Sequence, residues 1–302
     1  MNPVVTIGVC VKNGEHSIKE VIESILNQDF PHELLELIFV DDGSEDRTLS
    51  ILLDYVRRMD IPSRVYHHPW KGLGVTRNVV VNNARGKYII WVDADTIISK
   101  DYVTKQVQFL DQDPLVGIAY GKSVIKFTGN LVSDLFASLL FAEELKYGGR
   151  TTQKMRGIAG AIYRTEAIRG VGGFDNYIKG AGEDIDIAHR IAKTGYKIFF
   201  STGAEFNLNK IINGWINLWY KHYWYGCGMH YLHHKYMHDH LEAISLCKKI
   251  PPIDFLLGLL YSINTYKILQ KKIIFLLPLY LAFARIAWLF GFSKAHITKY
   301  CR

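Results

Sequence analysis

Along the first half of the chain, short apolar runs alternate with segments whose apolar residues recur at helical spacing. "VVTIGVCV" is a β-branched run, and "IKEVIESILNQ" carries Ile18, Val21, Ile22, Ile25 and Leu26 on one helical face. "LELIFVDD" reads as a second buried strand. "SEDRTLSILLDYVRRM" reads as a helix capped by Ser44, with Glu45 and Asp46 in a first turn that favours acids. "SRVYHH", "GVTRNVVVNNA" and "KYIIWVDA" continue the series as strand, helix and strand. Such alternation predicts an α/β fold with a mostly parallel sheet covered on both faces. In these sheets ligands bind beyond the carboxyl ends of the strands.

From about residue 113 the rhythm loosens. "PLVGIAYGKSVI" fits a strand pair and "LVSDLFASLLFAEELKYGG" an amphipathic helix. "RGIAGAIYRTEAIRGVGGFD" fits a strand, a short helix and a Gly-rich loop. "GEDIDIAHRIAKTGYKIFF" fits a helix opened by acids, closed by Gly195 and followed by a strand. Beyond about 210 the chain turns aromatic, His-rich and apolar, which divides it into residues 1–210 and a helical segment 211–302. The 20 residues from Ile273 to Phe292 are long enough to span a bilayer but include Pro278 and Arg285. A hairpin of interfacial helices is the favoured reading. One true span and a buried core extension are the alternatives.

Charge sharpens this picture. The net charge of +7 belongs to the tail, where 12 Lys and Arg stand against 4 Asp and Glu from Glu205 onward. A basic, apolar segment points to an anionic membrane surface rather than to nucleic acid, and no Arg/Lys run interleaved with aromatics marks a nucleic-acid groove. The four cysteines have no C-x-x-C spacing, which suits a reducing compartment and speaks against a disulfide framework or zinc finger. The chain begins without a basic, cleavable leader, so the first domain is expected on the cytosolic side.

Two strands predicted to be buried end in paired aspartates, Asp41-Asp42 and Asp93-Ala94-Asp95. Charges at the end of a core strand resist burial unless paired or bound to a cation. Extended backbone would point Asp93 and Asp95 the same way, and hard Mg²⁺ or Mn²⁺ takes such oxygen ligands together with substrate phosphates.

"VTIGVCVKNGEHSIKEVIESILNQDFP", "ELIFVDDGSEDRT", "GVTRNVVVNNARGKYIIWVDADT", "VGGFD" and "GEDIDIAHRIAKTGYKIFF" occur in this order. Over about residues 3 to 200 the chain thereby resembles the inverting GT-A glycosyltransferases of family 2. The resemblance implies a Rossmann-like catalytic domain over 1–210, a nucleotide-sugar donor, a divalent metal, and transfer to an acceptor hydroxyl with inversion. It implies donor contacts from Val11, Lys12 and Asn13, from Asp41 and Asp42, from Arg77, and from Asp93, Ala94 and Asp95. Asp42 matches the nucleobase contact and Asp95 the direct metal ligand, with Asp93 toward sugar or ribose and also a candidate ligand. Asp184 matches the catalytic base, with Glu183 its neighbour. A carboxylate at that place takes the proton of the attacking hydroxyl, and the helix dipole is expected to keep it ionised.

The chain departs from the family pattern in three places. Cys10-Val11-Lys12-Asn13 stands where the family often has Pro-Thr-Tyr-Asn, so Lys12 replaces an aromatic. "GAEFNLNK" lacks the His that often completes the metal site. No Q-x-x-R-W of processive synthases follows, which favours transfer of a single sugar. The basic, apolar tail points to a membrane-proximal, polyprenyl-linked acceptor at the cytoplasmic face of the cell membrane. Two alternatives stand beside this reading: a nucleotidyltransferase on a related fold, and an inactive sugar-binding or scaffold relative.

Four further groups carry competing readings. Asn78, beside Arg77, is a candidate for the donor diphosphate. His230, His234 and His238 fall on one helical face, with a solvated face favoured over a metal site. Trp215, Trp219, Tyr223 and Trp224 suit a membrane interface or an acceptor sugar. "GVGGFD" reads as a flexible loop near the acceptor.

Overall fold

The computed structural model describes residues 2–124, 126–152, 157–178, 180–208, 212–237 and 250–298. They form two compact units, one drawn from residues 2–124, 147–152, 157–178 and 183–208, the other from 126–146, 180–182, 212–237 and 250–298.

The first unit is built on a nine-stranded mixed sheet. Val5–Val11 (β1) and Leu35–Asp42 (β2) lie almost wholly out of solvent; most of their side chains are apolar, and the buried acids of β2, Glu36, Asp41 and Asp42, are each held by hydrogen bonds. β1 pairs in parallel with β2 on one side and with Tyr88–Trp91 (β4) on the other. β2 pairs in parallel with Ser63–His68 (β3) at the edge. The parallel pairing expected from the alternation holds through these four strands and recurs once, between Val116–Ser123 and Lys197–Leu208. Beyond β4 comes Ala161–Arg164 (β8), antiparallel, then Val116–Ser123 (β6), Lys197–Leu208 (β9) and Thr96–Ile98 (β5), with Arg150–Thr152 (β7) also on β9. The segment expected as a strand pair near 116 is the single strand β6.

Strand periodicity divides the core. Leu37 and Phe39 of β2 face a cluster with helices Ile18–Leu26 (α1) and Tyr102–Gln112 (α4). Ile38 and Val40 face the opposite cluster, with Leu73–Asn83 (α3) and Glu183–Lys193 (α7). Each such side chain contributes roughly 1.5–3 kcal/mol on burial. Trp91 closes the second cluster, edge-on to Tyr163 and Phe174 at 6.5 and 5.5 Å. The helix after β2 begins at Thr48, not at Ser44 (α2, Thr48–Val56). Asp46 there accepts the Thr48 N–H at 3.0 Å, while Ser44 turns back to Asp41.

The second unit is helical: Leu131–Tyr147 (α5, whose last residue groups with the first unit), Gly214–Lys235 (α8), Pro251–Leu269 (α9) and Leu277–Thr298 (α10), with a 3₁₀ turn at Lys272–Leu276. Leu135, Ile212, Leu218, Leu277 and Tyr280 form its core. Trp215 and Trp219, both partly exposed, pack edge-on against Phe283 at 5.1 and 5.6 Å. Pro278 sits in the first turn of α10, where its missing N–H costs no helical hydrogen bond. Arg285 is held by Asp254 of α9 through both Nε and Nη2. Among the described residues, Lys272–Thr298 is the one stretch long and apolar enough to cross a membrane. Cys10 is a free thiol.

Candidate active site

β1 is the point where the strand order reverses: the chain runs outward through β2 and β3, then returns to β4 on the other side. The crevice beyond the carboxyl ends of β1 and β4 is where such sheets bind ligands. The loop after β1 is laced to the loop after β2. Asn13 donates its N–H to Ser44 Oγ at 2.9 Å and accepts the Glu45 N–H at 2.9 Å. Gly14 N–H donates to Thr48 Oγ1 at 2.8 Å. Asn13 holds this place with a left-handed φ of 53°, a conformation asparagine tolerates.

The paired aspartates of β2 are already engaged. Asp41 is fully buried, accepts hydrogen bonds from Ser44, and has His67 Nδ1 at 2.7 Å. Asp42 accepts the N–H groups of Lys71 and Gly72 at 2.8 and 3.2 Å, fixing the loop that leads into α3. That loop carries Trp70, about half exposed, with Lys12 Nζ 5.7 Å from its ring centre. Sequence reasoning passed over Trp70. Its signal is an aromatic next to Pro69 in a polar loop directly after a strand end.

Asp93 and Asp95 do not lie on extended backbone. β4 ends at Trp91, and Asp93-Ala94-Asp95 form a turn closed by the Thr96 N–H on the Asp93 carbonyl at 2.9 Å. Ser17 Oγ at the head of α1 holds the turn by donating to the Ala94 carbonyl at 2.6 Å. Both carboxylates are half-buried, as hard-oxygen donors two residues apart, a set suited to a hard divalent cation. The register puts Leu208 of β9 opposite Thr96, and β9 brings no His to the turn.

Arg77 links this turn to the acids of α7. Its Nη1 pairs with Glu183 Oε1, its Nη2 lies 3.6 Å from Asp93 Oδ1, and its guanidinium rests 5.8 Å from the Phe174 ring centre. Burial opposes the charge on Arg77, but the Glu183 and Asp93 carboxylates outweigh it and hold the guanidinium firmly protonated. Burial raises the pKa of both Glu183 and Asp184, against the lowering effect of Arg77. The helix dipole at the start of α7 and the Arg77 charge favour the ionised form of Asp184, while desolvation pulls its pKa upward. Asp184 Oδ2 lies 3.6 Å from where a Cβ on Gly157 would stand, so glycine leaves that side of the carboxylate open.

Two expectations are corrected in this region. Asn78 does not face a donor: its amide donates to the Phe174 carbonyl at 2.8 Å and accepts the Phe174 N–H at 2.8 Å. Nor is "GVGGFD" a loose loop, because Arg190 of α7 also donates to the carbonyls of Val171 and Gly173, both at 2.7 Å, while paired with Asp186. Cys10 lies under the site, its thiol pushed up to about 12 by burial despite Arg77.

Residues 6–172 match the family model for glycosyl transferase family 2, more than half of the 302-residue chain. The chain belongs to glycosyl transferase family 2. Curated relatives include the poly(ribitol-phosphate) β-N-acetylglucosaminyltransferase TarS of Staphylococcus aureus, 33% identical over 100 residues, 33% of this chain and 18% of TarS. The putative glycosyltransferase EpsH of Bacillus subtilis is 36% identical over 106 residues, 35% of this chain and 30% of EpsH. These matches span less than a third of either relative. Among solved structures, the mannosyltransferase PcManGT of Pyrobaculum calidifontis, in complex with GDP-Man and Mn²⁺, superposes with a TM-score of 0.62 at 20% identity. The match covers 98% of this chain and 76% of that one. S. aureus TarS 1–349 gives a TM-score of 0.52 at 17% identity, over 99% of this chain and 93% of that one. The family 2 chain therefore has the GT-A fold, a mixed sheet flanked by helices with a C-terminal helical extension.

Proposed function

We propose that this family 2 enzyme is an inverting, metal-dependent transferase that moves one sugar from a nucleotide-sugar donor to a membrane-proximal, polyprenyl-linked acceptor at the cytoplasmic face of the cell membrane. The observation that carries the reading is the chain of charges Asp93, Arg77, Glu183 and Asp184, gathered at the switch point of the sheet. PcManGT, described with GDP-Man and Mn²⁺, and TarS, described with UDP-GlcNAc, support a nucleotide-sugar donor and a divalent ion.

On this reading residues 1–210 are catalytic. Val11, Lys12 and Asn13, with Asp41 and Asp42, shape the nucleoside end of the donor site. Trp70 supplies the stacking face that Lys12 does not, and Lys12 meets phosphate charge. Asp95, with Asp93, would hold Mg²⁺ or Mn²⁺, which supplies Lewis-acid stabilisation of the departing diphosphate. Asp184 removes the proton from the acceptor hydroxyl as that oxygen attacks the anomeric carbon opposite the leaving group. Arg77 fixes Asp93 against Glu183 and so positions the sugar side of the site relative to the base.

Residues 211–302 serve the acceptor side. Leu256, Leu260 and Ile263 of α9 are each more than half exposed and share one helical face, suited to the apolar boundary of a bilayer. The tail's Lys and Arg suit anionic headgroups.

Thermal stability against UDP-, GDP-, dTDP- and CMP-sugars, each with Mn²⁺ or a chelator, tests the donor reading. A ligand at a hundredfold over its dissociation constant adds about 2.7 kcal/mol. A metal-dependent shift with one nucleotide class is expected. The same shift in chelator would contradict the metal assignment.

A further inference from the structure

The His-rich stretch that the donor site does not use brings three imidazoles together. α8 and α10 cross with their backbones in contact: a Cβ on Gly226 would lie 1.9 Å from the Trp288 carbonyl oxygen, and one on Gly291 would lie 1.9 Å from that of Tyr223. Only glycine at both positions permits this approach. Four and eight residues beyond Gly226, on the same face of α8, stand His230 and His234. Five residues beyond Gly291, on α10, stands His296.

Their ring nitrogens converge. His230 Nε2 lies 3.1 Å from His234 Nε2 and 3.2 Å from His296 Nδ1, and all three ligand atoms fall within 4.8 Å of one another. A tetrahedral ion bound at about 2.0–2.1 Å to imidazole nitrogens sets them roughly 3.3–3.4 Å apart. Hydrogen bonding alone satisfies the group poorly. His230 Nε2 faces two other nitrogens with at most one proton to give, whereas a cation takes a lone pair from each. Phe292 packs edge-on at 5.1 Å from the His230 ring and helps fix its plane. The partner expected from the helical repeat, His238, lies outside the described residues, and the third imidazole comes instead from α10.

We propose that His230, His234 and His296 bind a borderline divalent transition ion of the zinc class, with water in the fourth position. His234 and His296 are exposed, which leaves that position open to solvent. Three imidazoles select Zn²⁺, Co²⁺, Ni²⁺ or Cu²⁺ over hard Mg²⁺ and Mn²⁺, the reverse of the preference of Asp93 and Asp95. The ion ties α8 to the last turns of α10 and acts as a staple within the helical unit.

The test titrates Co²⁺ into the full-length chain in excess Mg²⁺ and reads the visible ligand-field bands. One equivalent giving the intense bands of tetrahedral cobalt, bleached by Zn²⁺, is the expected result. His234→Ala and His296→Ala should lose those bands, whereas Asp95→Asn should keep them. Both histidines are exposed, so their removal leaves the fold intact, which a thermal melt of the metal-free proteins verifies. Absence of the bands in the wild type, a weak octahedral spectrum, or their survival in His296→Ala would overturn the site.

Discussion

Arg77 and Glu183 form an ion pair with both side chains almost wholly buried, the arginine 6% and the glutamate 3% exposed. Removing one partner strands the other charge in the interior. Arg77→Met is expected to cost about 3–5 kcal/mol in urea unfolding. Adding Glu183→Gln to that variant should restore most of the loss, because neither remaining group then demands a counter-charge. A double variant as unstable as the sum of the singles would show that the two do not act as a pair.

The raised pKa of Asp184 fixes the pH behaviour. The acidic limb of kcat/KM should lie above the ordinary aspartate value of about 3.9, since burial holds the proton on. Arg77 favours the ionised form, so Arg77→Met should move that limb to still higher pH. A limb at or below the ordinary value in the wild type would contradict the desolvated base.

Stability should change with pH in the same sense. A carboxyl whose folded pKa is raised binds its proton more tightly folded than unfolded, so its contribution is complete below the ordinary value and lost as pH rises through the raised one. Asp184→Asn should therefore melt higher than the wild type at neutral pH, the gap closing toward acid. Its turnover should fall by about 10²–10⁴-fold, the usual loss on removing a general base.

Trp70 should govern affinity for the base. Trp70→Ala removes a stacking face worth roughly 1–3 kcal/mol, raising KM for the donor about tenfold or more with kcat nearly unchanged. Donor titration followed by tryptophan fluorescence provides a direct reading. An unaltered KM would leave the exposed indole without a role in the donor site.

Membrane attachment should follow the exposed stripe of α9. Flotation with vesicles rich in anionic lipid should capture the wild type, weaken in high salt, and fall further for the triple variant Leu256→Ser, Leu260→Ser, Ile263→Ser. Equal flotation of that variant would remove α9 from the contact.

Local patterns announced much of this architecture. Continuous apolar runs made β1 and β2 legible as central strands, and the order of the acidic motifs placed the candidate site at their carboxyl ends. What the sequence hid was decided by contacts distant along the chain. The antiparallel half of the sheet depends on β8 inserting between β4 and β6, about 70 residues after β4, and no local periodicity encodes strand direction there. Asn78 looked available because helical spacing cannot reveal that Phe174 folds back onto its amide. The raised pKa of Asp184 was hidden because the helix terminus is visible in sequence and burial is not. His296 was not linked to the α8 histidines because the Gly226–Gly291 crossing is a tertiary event.

The most direct test of the central claim is release of nucleoside diphosphate from the matching nucleotide sugar, in the presence of a polyprenyl-linked acceptor. Wild type, Asp95→Asn and Asp184→Asn are compared with Mn²⁺ and with chelator. Acceptor-dependent release that chelation abolishes is expected, with Asp95→Asn falling about 10³-fold, several kcal/mol of transition-state stabilisation. Asp184→Asn should still bind donor, with turnover reduced by about 10²–10⁴-fold. Full turnover by Asp184→Asn, or release indifferent to chelator, would contradict the account.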